Sequence, residues 1–129
     1  MVDQSSADRA ESASATIQRI GGEHCSETEP LQRRRVADET VDDELAVFKA
    51  LANENRLRIV EALREGELCV CELETVLDAP QSTVASHLSQ LREAGIVRAR
   101  KQGKWTYYRI ADTASVQLVD LARALGEDE

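Results

Sequence analysis

The sequence has no apolar run that approaches the roughly 18 residues needed to span a membrane. Its N-terminus is polar and acidic, and it does not show the basic and then apolar pattern of a secretory signal. We therefore expect a cytoplasmic protein without a membrane partner. The 129 residues, of which 42% are hydrophobic, suffice for one compact domain with a tail.

Cysteine is also scarce, and its number excludes a disulfide framework. The three cysteines, Cys25, Cys69 and Cys71, are an odd number at uneven spacing. In a reducing cytoplasm such residues are usually free thiols or metal ligands. Cys69 and Cys71, which are separated by one residue, are the candidate ligand pair.

The net charge of -8 argues at first against a nucleic-acid partner. The charge is distributed unevenly, however, and residues 80–111 carry six bases against the single acid Glu93. The bases are Arg92, Arg98, Arg100, Lys101, Lys104 and Arg109. An acidic body with one basic stretch is typical of a DNA-binding protein whose remaining surface has another role.

Residues 1–39 lack a sustained apolar period and are expected to form a mobile arm, with a folded domain over residues 40–126. The first helix is predicted at about residues 41–51, with Thr40 and Asp43 spaced as a capping box. Asn53 is predicted to cap a second helix that stops at Gly66. The residues of this helix predicted to face inward are Leu57, Ile59, Val60 and Leu63.

A short helix is predicted at about residues 69–77, followed by a turn at 78–80. The helix predicted at 81–94 carries an apolar stripe of Val84, Leu88 and Leu91 opposite a polar face. The apolar period then changes to two, which predicts a hairpin of strands 96–100 and 104–110 around the turn 101–103. A last amphipathic helix covers residues 114–125. We expect a second copy of the chain to cover its apolar residues Val116, Val119, Leu121, Ala122 and Leu125.

These elements predict a mainly α protein with a small β-hairpin (α+β), arranged as a winged helix-turn-helix. Residues 51–59, 81–97 and 100–109 resemble the leading helix pair, the recognition helix and the wing of the ArsR/SmtB family of metal-responsive repressors. Residues 67–73, ELCVCEL, resemble the thiol box of its arsenite and cadmium/lead sensors. The resemblance implies a homodimer that binds double-stranded operator DNA while empty and releases it when a ligand binds.

Thiolates prefer soft ions, and Cys69 and Cys71 supply two sulfurs. In one arsenite-sensor pattern a third cysteine follows, where this chain has Glu74. Cys25, from the same subunit or its partner, could complete a three-sulfur site suited to As(III) or Sb(III). His24 as a further ligand would suit Cd(II) or Zn(II), and Pb(II) also stays open as the effector. A redox sensor that oxidises Cys69 and Cys71 without any metal stays open too.

Both cysteines fall in the short helix predicted at 69–77. Residues i and i+2 of a regular helix lie about 200° apart, so the two sulfurs would face nearly opposite ways. We therefore predict that joint ligation deforms this helix and misorients the recognition helix beside it. The alternative is that both cysteines are small buried residues of the core.

Polar residues near the start of the recognition helix are predicted to contact bases and phosphates, and basic residues of the hairpin to contact the DNA backbone. The predicted set is Gln81, Ser82, Thr83, Ser86, His87, Gln90, Arg98, Arg100, Lys101 and Lys104. For His87 the alternative is a packed histidine. An enzyme such as a thiol reductase is not expected, because Cys-Val-Cys lacks the usual Cys-x-x-Cys spacing. A protein-interaction winged helix would leave the basic hairpin unexplained.

Overall fold

The computed structural model describes residues 28–127, which divide into two units, residues 28–41 and 42–127. Helix α1 covers Thr28–Gln32 and buries no residue. Helix α2 covers Asp38–Leu51 and so begins before the predicted start at 41. The predicted capping box is wrong, because the amide of Thr40 donates to the carbonyl of Ala37 at 3.1 Å and Thr40 lies inside the first helical turn. Residues 1–27 of the predicted arm lie outside the described residues.

The second unit contains the remaining helices and a small sheet. The helices are α3 (Glu54–Leu63), α4 (Val70–Leu77), α5 (Gln81–Glu93) and α6 (Thr113–Gly126), and the strands are β1 (Leu68–Cys69), β2 (Val97–Gln102) and β3 (Trp105–Ile110). The strands form one antiparallel sheet in the order β1-β3-β2. The predicted fold class, a mainly α winged helix-turn-helix with a hairpin, is confirmed.

Two of the helices begin at side-chain caps that the local sequence encodes. Asn53 lies in the extended region (φ -158°, ψ 136°), and its Oδ1 accepts a hydrogen bond from the Arg56 amide at 3.1 Å, as predicted for α3. Asp112 has the same role for α6 and accepts from the Ala114 amide at 2.8 Å. Each cap satisfies a backbone donor that has no partner within the helix.

The core lies where α3, α4 and α5 meet the inner face of the sheet. Its buried residues are Ala50, Leu51, Ile59, Val60, Leu63, Leu73, Val84, Leu88, Leu91, Ile96, Val97 and Val119. The predicted stripe of α5 is therefore confirmed. Leu57 corrects the prediction for α3, because its side chain is exposed rather than buried.

The hairpin turn is tighter than predicted. Gln102 pairs with Trp105 across the two strands, so Lys101 and Gln102 belong to β2 and the turn consists of Gly103 and Lys104 alone. Gly103 has a φ of +62°, which L-residues with a side chain rarely adopt and which two-residue hairpin turns require. Strand β1 was not predicted, since two residues carry no detectable period of their own.

Ion pairs attach α6 to α3. Arg64 binds Glu61 at 2.8 Å and also Asp120, while Arg123 binds the other Glu61 oxygen at 2.7 Å. The hydrogen bond with Asp120 raises the pKa of Arg64. These pairs are solvent-accessible, so they fix the orientation of α6 more than they stabilise the fold.

Candidate nucleic-acid interface and thiol site

Helix α5 presents a polar row on the side opposite its buried stripe. Val84, Leu88 and Leu91 hold the helix against the core, and the predicted contacts Gln81, Ser82, Ser86 and Gln90 are all exposed, with Thr83 partly exposed. The helix follows Pro80, whose fixed φ of -69° suits the residue that precedes a helix. Such a row can donate to and accept from base edges in a major groove.

His87 differs from the rest of this row, because it is half-buried and bonded within the protein. Its Nδ1 lies 3.2 Å from Nη1 of Arg56. Arginine has only donors, so Nδ1 accepts and the ring is neutral with its proton on Nε2. Burial, together with the nearby charge of Arg56, lowers the pKa of His87. The structure supports the packed histidine that the sequence left as the alternative.

Arg56 joins three elements, and sequence reasoning missed it. Its Nε donates to the Ala50 carbonyl at 2.6 Å and its Nη2 to the Lys49 carbonyl at 3.3 Å, so it caps the last turn of α2 from within α3. Its Nη1 reaches His87 of α5. The position carried no local signal, because an arginine near the start of an amphipathic helix is ordinarily a solvated side chain.

The wing, which is the hairpin of β2 and β3, carries exposed lysine and arginine side chains that can contact phosphates. Arg98, Lys101 and Lys104 are exposed on β2 and the turn, and Nζ of Lys104 lies 5.9 Å from the ring centre of Trp105. Because exposed lysines and arginines contact phosphates without reading sequence, these residues can position the wing on DNA.

Arg100 is engaged within the protein instead. Its Nη2 lies 2.6 Å from Oε1 of Glu67 and its Nε lies 3.1 Å from Oε2, a bidentate ion pair. The guanidinium also lies 5.1 Å from the ring centre of Tyr107. The hydrogen bond from Arg100 lowers the pKa of Glu67, which therefore stays ionised and keeps the pair charged at neutral pH. The predicted phosphate contact of Arg100 competes with this ion pair.

The two box cysteines occupy different kinds of backbone. Cys69 is half-buried, ends β1 and is the extended N-cap of α4 (φ -89°, ψ 171°), whereas Cys71 is exposed within the first helical turn. The prediction that both lie inside one helix is wrong, because Cys69 pairs with Tyr107 of β3. The 200° separation therefore does not apply. The sulfurs are not buried in the core either, so the alternative reading as two core residues is not supported.

A capping box links Cys69 to the helix that follows. The Cys69 amide donates to Oε1 of Glu72 at 2.9 Å, and the Cys69 sulfur faces the Glu72 amide, where a serine hydroxyl usually lies. Among residues 28–127 no three His, Cys, Asp or Glu side chains are arranged to hold a metal ion. The donors fit a soft ligand with two sulfurs. Cys25 and His24, the candidates for completing the site, lie outside the described residues.

Comparison with known proteins agrees with this arrangement. A sequence profile described as "Bacterial regulatory protein, arsR family" matches residues 53–99. The cadmium resistance transcriptional regulatory protein CadC homolog of Staphylococcus aureus is 37% identical over 91 residues, which are 70% of this chain and 75% of that protein. The chain belongs to the ArsR family.

Two further proteins are similar to the chain in sequence or structure. The arsenical resistance operon repressor of Escherichia coli is 53% identical over 68 residues, 52% of this chain and 58% of that protein, so the match spans little more than half of that relative. The homodimeric winged helix-turn-helix DNA-binding domain of a Mycobacterium bovis protein has a TM-score of 0.65 and 32% identity, and the match covers 73% of this chain and 90% of that one. No helix in residues 28–127 of this ArsR-family chain has the length and apolar character of a membrane span.

Proposed function

We propose that this protein is a DNA-binding transcriptional repressor. One observation supports this most directly. The same unit carries the exposed polar row of α5 and the exposed lysine and arginine side chains of the wing. The helix would enter a major groove, and Arg98, Lys101 and Lys104 would bind the flanking phosphates. His87 holds α5 in place through Arg56 rather than reading a base.

The repressor acts as a homodimer in this proposal. Helices α2 and α6 leave large apolar side chains open to solvent: Leu45 is 44% exposed, Phe48 55%, Leu121 62% and Leu125 81%. A second copy of the chain would cover them and would place two recognition helices on a two-fold operator. Val119 was predicted at this interface, but it is buried in the core of its own subunit and so cannot be part of it. Leu45 and Phe48 of α2, which were not predicted there, are included in the proposed interface. The homodimeric relative supports this assignment.

The proposed effector is As(III) or Sb(III), bound by Cys69 and Cys71 with Cys25 as the third thiolate. Cys69 is half-buried and Cys71 exposed, so arsenous acid can reach both sulfurs. Each thiol that bonds to arsenic replaces one hydroxyl group, and its proton leaves with that hydroxyl as water. The repressor of E. coli named for arsenical resistance supports this choice.

Release from DNA follows from the position of Cys69 at the junction of β1 and α4. A ligand shared with Cys71 would draw this sulfur away from the Glu72 amide and so disturb the capping box. Helix α4 packs directly on α5, so a shift of its first turn reaches the recognition helix. Coupling between such sites is typically about 1–3 kcal/mol, which weakens DNA binding by roughly 5- to 150-fold.

A gel-shift titration tests the proposal. The DNA probe is the region upstream of the gene that encodes this protein. Arsenite is added to complexes of this DNA with the unmodified protein and with the Cys69→Ser/Cys71→Ser double variant. We expect the unmodified protein to bind the DNA and to release it with arsenite, and the double variant to bind and stay bound. Release of the double variant from the DNA by arsenite would refute the proposed thiol site. Failure of both proteins to bind the DNA would refute the proposed repressor function.

A second candidate keeps the fold and replaces the effector by Cd(II), Pb(II) or Zn(II). It is favoured by the S. aureus relative named for cadmium resistance. The variants Cys25→Ser and His24→Ala distinguish the two, since only the site with a nitrogen ligand depends on His24. Release by peroxide in the absence of any metal or metalloid would instead indicate a redox pair.

A further inference from the structure

The three-stranded sheet has an outer face on which the thiol box and the wing meet. Cys69 of β1 pairs with Tyr107 of β3, and Tyr107 pairs with Arg100 of β2. Directly paired residues of a sheet share a face, so these three side chains form one row. Glu67 directly precedes β1, and its ion pair with Arg100 places its carboxylate at this row. The opposite face carries Leu68 and Tyr108 against the core.

The side chain of Arg100 extends from β2 over β3 to Glu67, which directly precedes β1. From β2 it passes the ring of Tyr107, at 5.1 Å from the ring centre, and makes its bidentate pair with Glu67. Its remaining nitrogen, Nη1, donates to Oε1 of Gln102 at 2.7 Å, next to the hairpin turn. The ion pair therefore ties the strand that carries Cys69 to the strand that leads to the wing tip.

We propose that the Glu67–Arg100 pair is the positioning link through which ligand binding at Cys69 reaches the wing. This inference rests on the proposed thiol site and adds a second route to the one through α4 and α5. Strand β1 has only two residues, Leu68 and Cys69, so its backbone pairing with β3 is short. A displacement of Cys69 is therefore carried along extended backbone to Glu67, and the pair with Arg100 is lost.

Arg100 accordingly acts on DNA indirectly. Its guanidinium contacts Glu67 and Tyr107, and these contacts orient the wing. When the pair breaks, β2 is no longer linked to the segment that carries Cys69. The lysine and arginine side chains of the wing are then no longer held in the position, relative to α5, that DNA binding requires. Arg98 lies two residues before Arg100 on the same face of β2, and within residues 28–127 it makes no ion pair. Its guanidinium can therefore contact a phosphate.

The experiment measures the ratio of operator affinities without and with arsenite. Glu67→Gln and Arg100→Gln should each lower this ratio by about threefold to tenfold, and the double variant should lower it no further. The charge exchange, Glu67→Arg with Arg100→Glu, should restore most of it. Arg98→Gln is the matched control: it removes the same charge from the same face of β2, so it should weaken DNA binding but leave the ratio unchanged.

Trp105 provides a readout that does not involve DNA. It is the single tryptophan of the chain, is 47% exposed and begins β3 beside the turn. Arsenite should change its fluorescence in the unmodified protein and not in Cys69→Ser/Cys71→Ser. The change should be largely absent from Glu67→Gln, whose wing is already released.

Loss of free thiols, measured in parallel, separates the two proposals. Suppose arsenite consumes thiols and releases DNA, yet Glu67→Gln and Arg100→Gln give the same affinity ratio as Arg98→Gln and the fluorescence of Trp105 does not change. The link is then refuted, and the proposed thiol site stands. If arsenite neither consumes thiols nor releases DNA, the proposed function fails and the link fails with it.

Discussion

Replacing Arg56 by alanine tests how the recognition helix is held. Its guanidinium donates to the carbonyls of Ala50 and Lys49 at 2.6 and 3.3 Å and to Nδ1 of His87 at 3.2 Å. The variant leaves two carbonyls at the end of α2 and one ring nitrogen of α5 without these partners. We therefore expect both a loss of stability and a weaker hold on α5.

The size of the effect follows from the number and exposure of the bonds. Hydrogen bonds from a charged donor contribute about 1.5–3 kcal/mol each, and partial exposure of Arg56 lets water replace some of that. We expect Arg56→Ala to lower the free energy of unfolding by about 2–3 kcal/mol. Urea unfolding followed by circular dichroism, at one fixed protein concentration, measures it.

Arg58 provides the matched control two residues further along α3. It is exposed and makes one ion pair with Glu54 at 2.9 Å, one helical turn away. Arg58→Ala should cost only about 0.3–0.5 kcal/mol. If the free energies of unfolding of the two alanine variants lie within about 0.5 kcal/mol of each other, the hydrogen bonds of Arg56 are not what holds α5. Operator affinity should fall in Arg56→Ala with an unchanged salt dependence, since no phosphate contact is lost.

Leu73 is fully buried, so Leu73→Ala should cost about 2–5 kcal/mol of stability in urea unfolding. Val76→Ala on the exposed side of α4 should cost under about 0.5, and equal losses would place the core elsewhere. The folded protein lowers the pKa of His87 below 6.5, so the unfolded chain takes up the proton first as the pH falls through that value. Stability should therefore decline below about pH 6.5 by an amount that His87→Gln removes, and identical pH profiles would contradict the assignment. For operator binding, Lys101→Gln should reduce the slope of log affinity against log salt by about 0.9 per subunit, as fluorescence anisotropy would show. An unchanged slope would exclude a phosphate contact at Lys101.

Much of the fold follows from local patterns in the sequence. Asn53 caps α3 because a short side-chain oxygen can reach the amide three residues on, whatever the rest of the chain does. The stripe of Val84, Leu88 and Leu91 buries one side of α5 because residues three and four apart share a helical face. The basic character of the wing is a property of composition alone. The family resemblance drew on these same local signals.

The errors also have local causes. The predicted N-terminal boundary of α2 is wrong because Thr40 and Asp43 fit the spacing of a cap, whereas the helix begins earlier, at Asp38. The prediction of the turn at 101–103 is wrong because glycine marks a turn without fixing which of its neighbours belong to the strands. The amphipathic pattern of α6 predicts Val119 at the interface with a second copy, although Val119 faces the core of its own subunit.

The geometry of the thiol box depends on tertiary structure. That two thiols lie one residue apart ahead of the recognition helix is a covalent property, and it can be read directly from the order of residues. Only the pairing of Leu68 and Cys69 with β3 shows that Cys69 is extended and lies in a row with Tyr107 and Arg100. Glu67 and Arg100 are 33 positions apart in the chain, and no periodicity connects them. Their contact exists because a hairpin folds back on a two-residue strand, which no short window of sequence contains.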